Sequence, residues 1–320
     1  MAENARHGTS AEAPPISVVI CTYRREESLR LLLLDLVSQE DIVFEIIVVD
    51  QTASHEPETD ALFARYSERI RHLHIAEPNL PNARNEGIAV ARGEVVVFID
   101  DDLRIPSDFL RDLAAHFEDP AIEGLAPLVV VAGEEPAGAY TQQLYRFRGD
   151  WRSRERIRVR HIIGACMAYR LRLVRNLGGF DALMGRLNPS AAAEDGEFCG
   201  RWLRAGHQLW LAPAVRAVHV GNLPGGCEMR QMPGSEATRQ QQRSLAFVVL
   251  KEERSFERMS LRAWLRILRV TVLRRDVLQQ RPSVWLRAYR GMRRTVNDVR
   301  EFWRQHGGSP AAARVDLRPT

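Results

Sequence analysis

The chain has 320 residues, 45% hydrophobic and 27% charged, a globular composition long enough for one large domain or a domain with an extension. Its net charge of +4 hides a split: residues 1–223 carry 25 basic and 32 acidic side chains, residues 224–320 carry 20 and 9, and 44 of the 45 basic residues are arginine, Lys251 being the one lysine. No apolar run approaches the ~20 residues of a membrane-spanning helix. The opening MAENARHGTSAEAPP lacks the apolar stretch of a secretory signal and is expected to be a disordered leader over residues 1–15. Cys21, Cys166, Cys199 and Cys227 lack the short paired spacing of a zinc site or a disulfide framework, which points to a reducing cytoplasm.

Short β-branched runs alternate with helical patterns from residue 16 onward. Ile16–Cys21, Phe44–Val49, Ile70–Ile75, Glu94–Ile99 and Leu125–Val131 are expected to be strands, the first two buried on both faces. Between them, Leu29, Leu32, Leu33 and Leu36 recur at helical spacing, and Pro57–Arg69, Asn82–Ala91 and Pro106–Phe117 are predicted helices. The alternation predicts an α/β fold with a mainly parallel sheet flanked by helices. Residues 132–160 then form a long connection. His161–Tyr169 is a predicted strand, Arg170–Leu177 a helix, 178–193 a loop, Glu194–Ala205 a helix, and His207–Leu211 and Val215–Val220 two short strands. From about residue 224 only helix signals appear, and 307–320 is expected to be a disordered tail.

In open α/β sheets ligands bind beyond the carboxyl ends of the strands. The first strand ends in Thr22-Tyr23-Arg24, the second in Asp50-Gln51-Thr52, the fourth in Asp100-Asp101-Asp102. Three successive carboxylates repel one another and need a cation or donors to stay ionised. Asp100 and Asp102 share one side of an extended chain end. Their hard oxygens suit Mg²⁺ or Mn²⁺, which also bind phosphate oxygens. A solvated acidic loop or a cap for the following helix fits the same residues.

ISVVICTYRR, VVDQTA, NARNEGIAVARGEVVVFIDDD, GGFD and EDGEFCGRWLRAG together, in this order over residues 16–223, resemble the family 2 glycosyltransferases of the GT-A fold. The resemblance implies a nucleoside-diphosphate-sugar donor and a glycan or lipid-linked acceptor. It places Thr22, Tyr23 and Asp50 around the nucleotide base, Arg24 among the residues that bind the nucleotide sugar, and Arg84 and Asn85 near the nucleotide. Asp100, Asp101 and Asp102 match the D-x-D element: Asp100 and Asp101 would face the nucleotide sugar, and Asp102, with His219, would hold the divalent ion. Asp195 of the Glu194-Asp195 pair matches the general base, and Glu194, Phe180 and Asp181 lie at the acceptor site. The second strand departs from the family pattern, ending Asp-Gln-Thr-Ala where many members have Asp-Asn/Asp-Gly-Ser.

The residues alone leave other roles open. Glu194 and Asp195 suit a helix N-terminus, Asp50 a turn, Arg84 a solvated helix face, and His219 a packed histidine. Arg152, Arg154, Arg156, Arg158 and Arg160 alternate at strand period and fit either an anionic ligand or a charged edge hairpin.

The extension, residues 224–306, contains two amphipathic helices. Leu261, Leu265, Leu268 and Val272 form one apolar stripe. Trp285, Tyr289, Met292, Val296, Val299 and Trp303 form the other. The stripes are expected to pack inward, and the arginines beside them suit an anionic membrane surface. The expected activity is therefore an inverting, metal-dependent sugar transfer in the cytoplasm, peripheral to the inner face of the membrane. A sugar-1-phosphate nucleotidyltransferase is the same-fold alternative, but it needs a glycine-rich phosphate loop where this chain has CTYRREES. A non-catalytic module with a basic tail is the other. No nucleic-acid motif is present, and no nucleic-acid partner is expected.

Overall fold

The computed structural model describes residues 15–132, 155–187, 193–220, 234–273 and 282–307. Arg152, Arg154, Cys227, the leader apart from its last residue, and the tail beyond Gly307 lie outside them. β1 (Ile16–Thr22), α1 (Glu26–Val37), β2 (Phe44–Asp50), α2 (Pro57–Arg65), β3 (Ile70–His74), α3 (Leu80–Val90) and β4 (Val95–Ile99) alternate as expected. Their strands lie parallel in the order β3-β2-β1-β4. Val18, Ile20, Ile47, Val48, Val96 and Val97 are fully buried, which is why these strands show unbroken apolar runs instead of alternation. Parallel pairing brings the strand ends to one edge, and Thr22 and Asp50 are direct register partners there.

The sheet continues past β4 through β8, β6, β9 and β5. β5 (Leu103–Arg104), α4 (Phe109–His116), β6 (Gly124–Val131), β7 (Ile157–Val159) and β8 (Cys166–Arg170) precede α5 (Leu171–Asn176), α6 (Ala182–Leu187), α7 (Glu194–Arg204) and β9 (Leu209–His219). β8 runs antiparallel to β4 and β6, and β9 is parallel to β6. The two strands expected over 207–220 are one. Its register against β6 steps from Pro127↔Ala212 to Leu128↔Arg216, so a bulge absorbs Pro213, where proline costs no ladder hydrogen bond. The strand expected over 161–169 shortens to β8. α6 lies within the expected loop over 178–193. It escaped notice because one and a half turns are too short to show a period, and Asp181 starts it by accepting the Leu183 N–H at 2.9 Å. Gly178 and Gly179, at φ +76° and +64°, end α5 in the left-handed region that a side chain disfavours.

Of the alternating arginines, Arg156 bonds Asp119 at 3.0 Å while Arg158 and Arg160 are exposed around β7, which pairs with β9. This is the charged edge, and no described arginine of the set joins the acidic strand ends.

α8 (Gly234–Glu252), α9 (Leu261–Thr271) and α10 (Pro282–His306) pack on one another around a second core. That core takes in Leu183, Met184 and Leu187 of α6, so the extension is built onto the catalytic portion and is not a free appendage. In α10, Met292, Val296 and Val299 are buried as expected. In α9 the expectation is corrected. The inward face is Ala263, Ile267 and Val272, whereas Leu261 and Leu265 are 73% and 49% exposed.

Lys251, the chain's one lysine, joins the two portions. Its Nζ donates to Asp181 at 2.6 Å and to Glu197 of α7 at 2.8 Å. Lys251→Met should lower stability by about 1–2 kcal/mol in urea unfolding, discounted from the cost of breaking a fully buried pair because the lysine is partly solvated. A loss near zero would show that the salt bridges do not hold the extension in place.

Candidate active site

The carboxyl edge of β1, β2 and β4 carries an acidic cluster held by two buried arginines. Asp101 accepts the Thr22 hydroxyl at 2.7 Å, and Arg25 Nη1 donates to Asp102 Oδ2 at 2.6 Å. His219 Nε2, at the end of β9, lies 3.3 Å from the same Oδ2. Asp102 Oδ1 is buried with no hydrogen-bond partner. A buried carboxylate oxygen without a partner is costly in a closed protein and natural for a metal ligand. Asp100 is the outermost of the three and faces Arg84 at 3.5 Å.

Arg84, from α3, joins this edge to the helix start at Glu194-Asp195. It is 2% exposed. Its Nη1 donates to Glu194 Oε1 at 2.6 Å and its Nη2 to the Gly164 carbonyl at 3.2 Å, with the guanidinium 5.2 Å over the Phe180 ring. Asp195 is oriented by backbone donors: Oδ2 accepts the Gly164 N–H at 2.8 Å and Oδ1 the Gly196 N–H at 2.6 Å. Residue 164 must be small, since a Cβ there would sit 3.2 Å from Arg84 and 3.3 Å from Glu194. Burial pushes Asp101 up to about 8 and Glu194 up to about 7, outweighing the downward pull of Arg25 and Arg84 respectively. The cluster therefore holds more carboxylate than its two arginines neutralise, the setting in which a divalent cation or an incoming arrangement of donors is favourable.

Asp50 is saturated. Oδ1 accepts the Thr52 N–H at 2.8 Å, and Oδ2 meets His72 Nε2 at 2.9 Å and His55 Nε2 in a shorter contact. His55 Nδ1 lies 2.9 Å from Glu26 Oε1. Asp50, His55 and His72 are the one group of three metal-capable side chains with mutually close ligand atoms among the described residues, and this group is separate from Asp102 and His219. Burial works to raise Asp50, but hydrogen bonds from His72, His55 and the Thr52 N–H hold it at about 2. Burial works to lower His55, but hydrogen bonding to Asp50 and Glu26 raises it above its ordinary value.

The linkage has a definite sign. The depressed Asp50 contributes stability above its unfolded value and loses it as pH falls toward 2. The raised His55 contributes below its unfolded value of about 6.5 and loses it as pH rises through the folded one. The stability difference between the native chain and His55→Gln should therefore peak near pH 5 and shrink on both sides. Urea midpoints across the pH range would show it, and a flat difference would exclude a charged His55.

Several expected residues sit elsewhere. Phe180 is 3% exposed and stacks in the core, its ring 4.6 Å from Phe198 and 5.3 Å from Phe98. Asn85 spends both ends of its amide on the Phe180 backbone, at 2.8 Å each. Asp181 is committed to Lys251 and the start of α6. These three support the cleft from behind and offer no free group to a ligand. Glu194 is buried against Arg84, so only Asp195 of the pair is partly open. Arg24 is exposed, at φ +55°, with its guanidinium 5.0 Å over the half-buried Tyr23 ring. Its neighbour Arg25, not singled out in the sequence, turns inward and pairs with Asp101 and Asp102. His55, His72 and Arg25 carry no sequence signal beyond their residue types.

Solved structures share this fold. The chain superposes with a TM-score of 0.56 on the mannosyltransferase PcManGT of Pyrobaculum calidifontis, at 18% identity over 95% of this chain and 79% of that one. With TarS (residues 1–349) of S. aureus in complex with UDP-GlcNAc the TM-score is 0.54, at 17% identity over 91% of each chain. These likenesses show the GT-A fold. Residues 17–178, half of the chain, match the model of glycosyl transferase family 2, and the chain belongs to that family. Among curated relatives it is 30% identical over 183 residues to the pre-mycofactocin glycosyltransferase of Mycobacterium tuberculosis, covering 54% of this chain and 37% of that protein. It is 28% identical over 150 residues to the putative glycosyltransferase EpsH of Bacillus subtilis, covering 42% and 44%. The chain thus spans less than half the length of these curated relatives.

Proposed function

We propose that the chain is an inverting, metal-dependent transferase. It moves a sugar, in the first instance a hexose from a uridine-diphosphate donor, to a hydroxyl of a glycan or lipid-linked acceptor, as in cell-surface polysaccharide synthesis. The observation that carries this reading is Arg84. By contacting both Asp100 and Glu194 it unites the acidic strand end and the start of α7, about 95 residues apart in sequence, in one cleft. The fold neighbours support the donor class, since one was solved with GDP-Man and Mn²⁺ and another with UDP-GlcNAc.

In this reading Tyr23 stacks on the base, and Asp100 and Asp101 face the ribose and sugar. Asp102 Oδ1, with His219 beside it, would hold Mg²⁺ or Mn²⁺. The orphaned buried oxygen and the hard donor set fit such an ion, which when bound offsets the charge developing on the diphosphate leaving group. Asp195 takes the proton of the acceptor hydroxyl as that oxygen attacks the anomeric carbon from the face opposite the diphosphate. Its two backbone donors aim the carboxylate. Arg84 keeps Glu194 from crowding Asp195 and fixes the helix start.

Calorimetric titration of the donor tests the metal. Asp102→Ala should abolish Mn²⁺-dependent donor binding, and EDTA should do the same to the native chain. Donor affinity indifferent to EDTA would remove the metal from the mechanism.

A further inference from the structure

We infer that the outer face of α9 and the first half of α10 dock on an anionic lipid bilayer surface. Among the described residues, Leu34 and Val43 are the large apolar side chains left well exposed on the catalytic portion. Leu261, Leu265, Leu273, Trp285 and Leu286, between 39% and 73% exposed, all belong to the C-terminal extension, Leu273 just past the end of α9. A helix that simply packs on its own protein buries its leucines. α9 instead buries Ala263 and Ile267 and turns Leu261 and Leu265, one turn apart, toward solvent.

Charge selects the occupant. α9 carries Arg262, Arg266 and Arg269 and no acidic residue; Arg266 is spent on Glu252 and Glu253 of the preceding segment, while Arg269 is exposed and Arg262, 3.4 Å from Glu253, remains 81% exposed. Arg287, Arg290, Arg293 and Arg294 are exposed on the first half of α10, which also has no acid. Leucine tips between arginines suit a surface that offers anionic headgroups above hydrocarbon. A second copy would bring like charge against like charge, and nucleic acid offers nothing for the leucines to enter. None of these helices is long and apolar enough to cross a membrane, so the contact lies along the surface.

The test is co-sedimentation of the full chain with two kinds of vesicle, phosphatidylcholine alone and phosphatidylcholine with about one third phosphatidylglycerol. The native chain should pellet with the anionic vesicles and stay in solution with the neutral ones. Because both leucines are exposed, Leu261→Ser/Leu265→Ser should keep its unfolding temperature yet bind anionic vesicles at least about tenfold more weakly. Arg262→Gln/Arg269→Gln should weaken binding and flatten its salt dependence. Equal binding to both vesicles, no binding to either, or full binding by the leucine variant would overturn the inference. So would a dimer that the leucine variant dissociates, or duplex DNA that outcompetes the vesicles. The readout is binding alone, so failure here leaves the transferase reading untouched.

Discussion

Asp195→Asn should cut sugar transfer by about 10²–10⁴-fold, the range for removing a positioned general base, with donor affinity changed by no more than about threefold. The amide keeps the shape of the carboxylate and one oxygen for the Gly164 N–H, but its nitrogen cannot accept the Gly196 N–H, so the unfolding temperature of the variant is measured beside the rate to separate a chemical loss from a structural one. Asp195 is part-buried, and both of its oxygens are met by backbone N–H groups. Those donors fix the direction in which the carboxylate points. Single-turnover rates with saturating donor and acceptor measure the loss. Unchanged rates would remove Asp195 as the base and leave His161, whose Nε2 is 4.0 Å from Asp195, as the next titratable group.

Arg84→Met should destabilise the fold by about 3–5 kcal/mol, the cost of stranding one member of a buried ion pair. Methionine fills much of the volume, so a cavity does not dominate. Glu194, 5% exposed, would face Asp100 and Asp195 with no cation. Burial already raises Glu194 to about 7 even beside Arg84. A carboxyl raised in the folded state contributes stability below its unfolded value and loses it as pH rises through the folded one. Without Arg84 that decline should steepen above neutrality. The double variant Arg84→Met/Glu194→Gln should recover part of the loss, since the stranded charge is gone. Denaturant midpoints of the three proteins near pH 6 and pH 8 settle it; a single variant as stable as the native chain at both would show that the pair is not structural.

The parallel half of the sheet was legible because buried strands write themselves as unbroken Val/Ile runs, and the motifs at their ends follow from that placement. The acid trio stood out for the same reason, whereas Arg84 and the Glu194-Asp195 pair, which lie on helices, were marked only by the family resemblance. Partners supplied by tertiary structure did not. Asp50 meets His72 from the adjacent β3 and His55 from the turn before α2, and no periodicity foretells either. Phe180 and Asn85 were placed at the cleft because motifs mark which residues matter without telling which way they face. Leu261 and Leu265 were read as a core stripe because helical spacing defines a face but not its direction. In α9 Ala263 and Ile267 are the residues that enter the second core, and Leu261 and Leu265 lie on the other face. The charge split between halves survives as geometry. The acidic half gathers carboxylates at the strand ends, and the basic half exposes its arginines beside those leucines.

The most direct test is a thermal-shift titration of the full chain with a panel of uridine- and guanosine-diphosphate sugars in the presence of Mn²⁺. At least one should raise the unfolding temperature by about 3 °C or more at a hundredfold excess over its Kd, and Asp102→Ala should abolish the shift. No shift from any nucleotide sugar, or an equal shift in Asp102→Ala, would contradict a metal-assisted donor site at the strand ends.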